Sequence, residues 1–373
     1  MTRQETRKFA GLFALGLGAA VVVIAIMLVL PHDRYIRWQA LRTEVYARLG
    51  WVYERIHFDQ TPIDVAFIGT SHTLNGVDAA AVNQELAAEG LRTADGRCIV
   101  TSNLAIPEYG RNLHWILARE LIENRKVGAI VLEVFENETR KAHPVFSHVA
   151  DERDILTAPM LVNVGYWHDL VRLPFRQLSV WFESLYPEDF GLKRRFDPRN
   201  YDGSTVDNTR KVNVDGVSLT PPRFKIAPKA DLEAEARRRA GLKNLHMLGE
   251  RFEKYEYVVP DTYVKDILDL ARRRGVKVVF LYLPAFGQPP RPVDMRLYAG
   301  HEMLTANDIM SRTDYWYDVQ HLNAPGAAAL SQRLGQQLAP QFGKGKNAQG
   351  AGAAPCNFGY APRASLKPFH PIE

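Results

Sequence analysis

The chain predicts an α/β fold: a parallel sheet in a three-layer sandwich, interrupted by a mostly helical insertion and preceded by one apolar helix of membrane-spanning length. Three observations predict it. Short apolar runs alternate with helical periodicities before residue 138 and again after residue 260, the rhythm of a sheet covered by helices on both faces. That rhythm breaks between about 139 and 258. Residues 9–30 contain no charged side chain and are mostly Ala, Val, Leu, Ile and Gly, enough to cross a ~30 Å hydrocarbon layer at about 1.5 Å per residue.

The bulk numbers fit this reading. At 373 residues, with 46% hydrophobic and 24% charged side chains, the chain can bury a sizeable core without depending on disulfides.

The elements follow in order. Arg3, Arg7 and Lys8 precede the apolar stretch against a single Glu5, which favours a cytoplasmic N-terminus and leaves the rest of the chain outside. The stretch ends Leu28-Val29-Leu30-Pro31-His32, a poor small-x-small cleavage site, so an uncleaved anchor (residues 1–31) is expected over a signal peptide. Residues 35–57 space Trp38, Leu41, Val45, Leu49, Val52 and Ile56 as one helix, within a juxtamembrane segment 32–60. The main domain spans 61–341, with strands at 64–68, 98–101 and 129–135 and helices at 77–89 and 113–125. In the insertion, Trp167, Trp181, Phe182, Tyr186 and Phe190 suggest packed helices, 197–222 reads as an irregular loop and 229–255 as a charged helical stretch. The insertion can shape or cover a substrate cleft. The α/β rhythm resumes with a helix at 261–274, the clearest strand at 276–283, a last short strand at 314–317 and a closing helix at 324–338. Residues 342–373, rich in Gly, Ala and Pro, read as a disordered tail.

Cys98 and Cys356 are too few for a disulfide framework. An oxidising compartment permits a bridge, but the composition around Cys356 suggests two unpaired thiols. Neither has a His or second Cys at zinc-ligand spacing. No metal or organic cofactor is expected. The net charge of +5 gathers at Lys193-Arg194-Arg195, Arg237-Arg238-Arg239 and Arg272-Arg273-Arg274. These read as solvated faces, or as attraction to anionic lipid heads or an acidic glycan. A chain outside the cytoplasm is not expected to bind nucleic acid.

In a parallel sheet, ligand-facing residues gather at the carboxyl ends of the strands. Ser71, Asn103, Asn137 and His321 each follow a predicted strand. Ser71, after Phe67-Ile68-Gly69-Thr70, is a candidate nucleophile, although Ser is also favoured as a helix N-cap there. His321 is a candidate general base. Asp318, three residues earlier, can fix its tautomer, or else cap the following helix. Candidate oxyanion donors are the N–H of Ser71, the Asn137 amide and the N–H of Ala105. Asn103 and His72 are candidate substrate contacts.

These residues resemble the blocks of the SGNH (GDSL-like) hydrolase superfamily. Gly69-Thr70-Ser71 matches its Gly-Asp-Ser block, and Asp318-Val319-Gln320-His321 its Asp-x-x-His block. Phe135-Glu136-Asn137-Glu138 stands at its Gly-x-Asn-Asp block, and Asn103-Leu104-Ala105, with Gly110 further on, at its second block. Thr70 replaces the usual Asp, and Phe135 and Ala105 stand where Gly is usual. The resemblance covers roughly 62–138 and 260–338 and implies a flavodoxin-like sandwich. With the anchor and the insertion, it is nearest the membrane-anchored branch that modifies envelope polymers, such as the D-alanine transfer protein of teichoic acids and alginate O-acetyltransferase accessory proteins. It implies a bacterial inner-membrane protein with a periplasmic domain, acting as an O-acyltransferase or esterase on cell-envelope polysaccharide through an acyl-Ser71 intermediate, beside a multi-pass membrane-bound O-acyltransferase. A non-catalytic glycan-binding or scaffold protein of an export complex is the competing expectation.

Overall fold

A computed structural model of the chain describes residues 2–41, 46–135, 142–199, 201, 213–214, 217–218, 224–241, 248–342 and 356. Its centre is a five-stranded parallel sheet built from β1 (Val65–Ile68), β2 (Thr101–Asn103), β3 (Ala129–Val134), β4 (Lys277–Tyr282) and β5 (Met303–Thr305). The spatial order is β2-β1-β3-β4-β5, the flavodoxin-like arrangement whose switch point lies between the first and third strands. Val65 lies opposite both Thr101 and Ala129, and Ala129 opposite Lys277, so the inner strands run in step.

Side-chain alternation splits the core into two layers. Ala66, Ile68, Ile130, Leu132, Phe280 and Tyr282 face one side. There they meet α3 (Arg48–His57), α6 (Arg111–Asn124) and α9 (Val258–Arg274). Val65, Phe67, Val131, Val279 and Leu281 face the other side, against α5 (Ala79–Ala88) and α10 (Ala324–Leu338). Both faces of β1 and β3, and of β4 from Val279 onward, are buried, which explains why these segments read as near-continuous apolar runs.

The N-terminal helix α1 (Arg3–Leu28) opens with a capping box between Thr2 and Glu5 and buries no side chain. It is long and apolar enough to cross a membrane. Leu28 packs against the core, which brings the α/β body to the end of α1.

Several expectations need correction. The single helix expected over 35–57 is two. Helix α2 (Arg34–Gln39) ends where the Gln39 side chain turns back to the carbonyls of Tyr35 and Lys193, and α3 folds against it, with the Cβ direction of Gly50 only 3.2 Å from Gln39 Cγ. The second strand starts at Thr101, because the Asp64 carboxylate, gripped by Arg97 at 2.6 Å, accepts the Val100 N–H in place of a ladder bond. The last strand is β5, an edge strand too short to stand out; 313–315 is a 3-10 turn, and Trp316 pairs antiparallel with Leu322. Cys98 and Cys356 are joined in a disulfide.

The insertion is helical in α7 (Tyr166–Leu185) and α8 (Lys229–Ala240). Its aromatic side chains are not packed as expected: Trp167, Phe182, Tyr186 and Phe190 are exposed. Most of the expected 197–222 loop and nearly all of the expected tail lie outside the described residues, apart from a two-residue hairpin pairing Asn213–Val214 with Val217–Ser218. Part of each basic cluster is neutralised locally, Lys193 by Glu54, Arg238 and Arg239 by Glu235, and Arg272 by Asp269.

Candidate active site

The turn after β1 carries the nucleophile candidate. Helix α4 (Ser71–Gly76) starts at Ser71, and its N-cap is Thr70, whose hydroxyl accepts the His72 N–H. Ser71 is therefore not spent on capping. It sits at the first helical position with its hydroxyl turned to His321. The Ser71 N–H has no acceptor among the described residues, so it can serve as an anion donor.

The turn is pinned from below by Glu133, buried on β3. Its carboxyl group accepts from Thr70 N–H at 2.7 Å, Thr70 Oγ1 at 2.8 Å, Thr73 Oγ1 at 2.5 Å and Thr73 N–H at 3.3 Å. Gly69 is required by this embrace: a Cβ there would lie 2.3 Å from both Glu133 Oε2 and Thr73 Oγ1. Glu133 stands in the sequence as a lone acid inside an otherwise apolar strand. A buried, fully partnered carboxyl group in that setting is the signal that marks it.

The second half of the site comes from the other end of the chain. Trp316 is completely buried, with its indole N–H bonded to the Met310 carbonyl. It anchors a tight reversal in which the Tyr317 N–H bonds the His321 carbonyl. Asp318 Oδ1 accepts the N–H groups of Gln320 at 2.7 Å and His321 at 2.9 Å. The next helix, α10, is capped by Asn323 instead, so Asp318 is committed to this turn. Its Oδ2 lies 2.9 Å from His321 Nδ1. On the far side of the ring, His321 Nε2 lies 2.9 Å from Ser71 Oγ. With Nδ1–H donating to Asp318, Nε2 is left as the acceptor for the Ser71 proton.

The electrostatics suit that arrangement. Burial works against the Asp318 charge, but the hydrogen bond and charge of His321 and the two backbone donors outweigh it and hold the carboxyl below its usual range. His321 and Asp318 are both partly exposed, so the relay opens toward solvent.

The remaining expected site residues separate clearly. His72 lines the site: Nδ1–H donates to the Leu283 carbonyl at 3.0 Å, Nε2 faces the Tyr109 hydroxyl at 3.4 Å, and its ring stands edge-on to His321 at 5.8 Å. Burial pushes His72 below the usual imidazole range; Glu133 pulls the other way and His321 deepens the drop. Asn103 is not available to a substrate. It is completely buried, its amide donates to the carbonyls of Thr73 and Val77, and its oxygen accepts the Ala105 N–H. Ala105, also buried, thereby loses its donor, so it is not an oxyanion group in this state. Asn103 thus ties β2 to α4 and to the residue that follows it. Asn137 lies outside the described residues. Tyr109, absent from the sequence reading, forms one wall, edge-on to Phe135 at 5.0 Å.

The chain thus carries a hydroxyl, an imidazole and a carboxylate in line at the carboxyl edge of a doubly wound sheet, the constellation of a nucleophilic serine site. No protein-family model matches this sequence, and no curated protein is significantly similar to it.

Proposed function

We propose that the protein is an SGNH-like, membrane-anchored O-acyltransferase or esterase acting outside the cytoplasm on cell-envelope polysaccharide. The observation that carries the reading is the relay itself, Asp318 to His321 to Ser71, with 2.9 Å at each step. Ser71 Oγ attacks an acyl carbonyl as His321 Nε2 takes its proton. The Ser71 N–H is placed to stabilise the oxyanion. Collapse returns the proton from His321 to the leaving oxygen and leaves an acyl-Ser71 ester. His321 then deprotonates an incoming hydroxyl: a sugar hydroxyl gives transfer, water gives hydrolysis.

Two further features support the setting. Helix α1 is long enough to anchor the chain, and the Cys98–Cys356 disulfide suits an oxidising compartment. The solvent-open relay suits a large acceptor such as a glycan. A multi-pass membrane-bound O-acyltransferase is the partner that would supply the acyl group. One observation favours the second reading, a non-catalytic glycan-binding protein: among the described candidates only the Ser71 N–H is free to meet an oxyanion.

A serine-directed fluorophosphonate separates the two. The full chain should be labelled at Ser71, and Ser71→Ala and His321→Ala should each abolish labelling. Absence of labelling in a folded protein, together with acetyl-ester turnover unchanged by Ser71→Ala, would sink the enzymatic reading.

A further inference from the structure

Helix α7 presents an apolar stripe to the outside. Trp167, Val171 and Phe175 recur every four residues and are 63%, 64% and 65% exposed, and Phe182 and Leu185 extend the line at 46% and 43%. The opposite side of the helix is already satisfied, with Leu173, Gln177 and Val180 buried. Such a stripe on a helix with a buried back needs a second apolar medium.

The position of α7 says what that medium is. Helix α7 packs directly against α1, and the chain leaving α1 is fastened to it where the Asp33 N–H donates to Ser184 Oγ at 2.9 Å. Helix α7 is therefore held beside the exposed apolar surface of α1. Helix α1 spans about 39 Å, more than the roughly 30 Å of hydrocarbon, so its final turns, where the folded body begins, reach the headgroup layer.

The polar border of α7 matches that layer. Arg172 bonds only His168 Nε2, at 3.4 Å, and has no carboxylate within ion-pair distance among the described residues. Its neighbour Arg176 is fully engaged by the carbonyls of Ser147 and Ala150 and by Glu152. The two arginines and Phe175 line an open cavity of about 300 Å³. A cation above an aromatic stripe is the pattern of a helix lying in an interface.

We propose that α7 is a second membrane contact, lying in the plane of the outer leaflet with its stripe among the acyl chains and Arg172 against the phosphate of an anionic phospholipid. This rests on the reading of α1 as an anchor, and the test separates the two. The full chain is reconstituted into phosphatidylcholine–phosphatidylglycerol vesicles with acyl chains brominated near the headgroup, which quench tryptophan on contact. The protein should float with the vesicles, and Trp167→Phe should remove most of the lipid-quenchable emission; Trp167→Phe/Phe175→Trp should restore it. Omitting phosphatidylglycerol should weaken quenching in the wild type, with no such effect in Arg172→Gln. A protein that does not float loses both readings. One that floats, yet is quenched equally with and without Trp167, keeps its anchor and overturns the role of α7. Quenching indifferent to phosphatidylglycerol overturns the contact with the lipid phosphate.

Discussion

At the scale of single residues, the placement of the Ser71 hydroxyl depends on its neighbour. Because Thr70 takes the N-cap position, the Ser71 hydroxyl is left for His321. Ser71→Ala and His321→Ala should each lower acyl-ester turnover by about 10⁴-fold or more, and the double variant little further, since the pair acts as a unit. Asp318→Asn keeps the shape but can leave the wrong imidazole tautomer, so a loss of roughly 10²- to 10⁴-fold is expected; steady-state rates of the four variants check the order. The sequence singled out Ser71, Asp318 and His321, which the fold brings together, because each residue type has few chemical uses at a strand's end. It misplaced Asn103 and Ala105, since an amide after a strand reads alike whether it meets substrate or ties down a neighbouring turn. Only the burial of Asn103, and its bonds to the carbonyls of Thr73 and Val77, decide between them.

At the scale of elements, the placement of Ser71 rests on a joint between α4 and β3. Glu133 accepts two backbone and two hydroxyl bonds from the turn. Glu133→Ala would strand those donors in a buried site, with an expected cost of about 3 kcal/mol and a Ser71 too loosely held to label well. Denaturant midpoints and fluorophosphonate labelling rates test this together. A Glu133→Ala protein that unfolds normally and labels at the wild-type rate would refute the role. The elements themselves were legible where periodicity is long, as in α6, α9, α10 and β4. They were misread where side chains replace the ladder, as Asp64 does before β2, or where an element is three residues long, as in β5.

At the scale of the whole molecule, buried neutral histidines make stability depend on pH. His143 donates through Nε2 to the Pro107 carbonyl at 2.7 Å and accepts the Val145 N–H at 3.2 Å on Nδ1, so its neutral form is fully satisfied. Burial lowers it from 6.5 to about 4, and burial also brings His148 to about 4. Above pH 6.5 neither the folded nor the unfolded chain carries this proton, and the full stability is present. As the pH falls from 6.5 toward 4, only the unfolded chain binds it, so stability drops, by up to about 3 kcal/mol for His143 alone. Denaturant midpoints should fall across that window, and His143→Gln should flatten the slope without abolishing it, because His148 remains. The overall plan of a long apolar N-terminal helix followed by a parallel sheet was readable because hydrophobic runs and their spacing report the layers. The outward turn of the aromatic stripe on α7 was not, since the same spacing serves a buried face and a face toward lipid.

The bond between Cys98 and Cys356 closes a loop whose ends are 258 positions apart, and strands β2 to β5 with helices α6 to α10 lie inside it. A protease cutting the chain once between residues 343 and 355 would release nothing. The large N-terminal fragment and the short C-terminal one would migrate as one band until a reductant is added, then as two. Separation without reductant would mean that the two sulfurs are not joined in the mature protein.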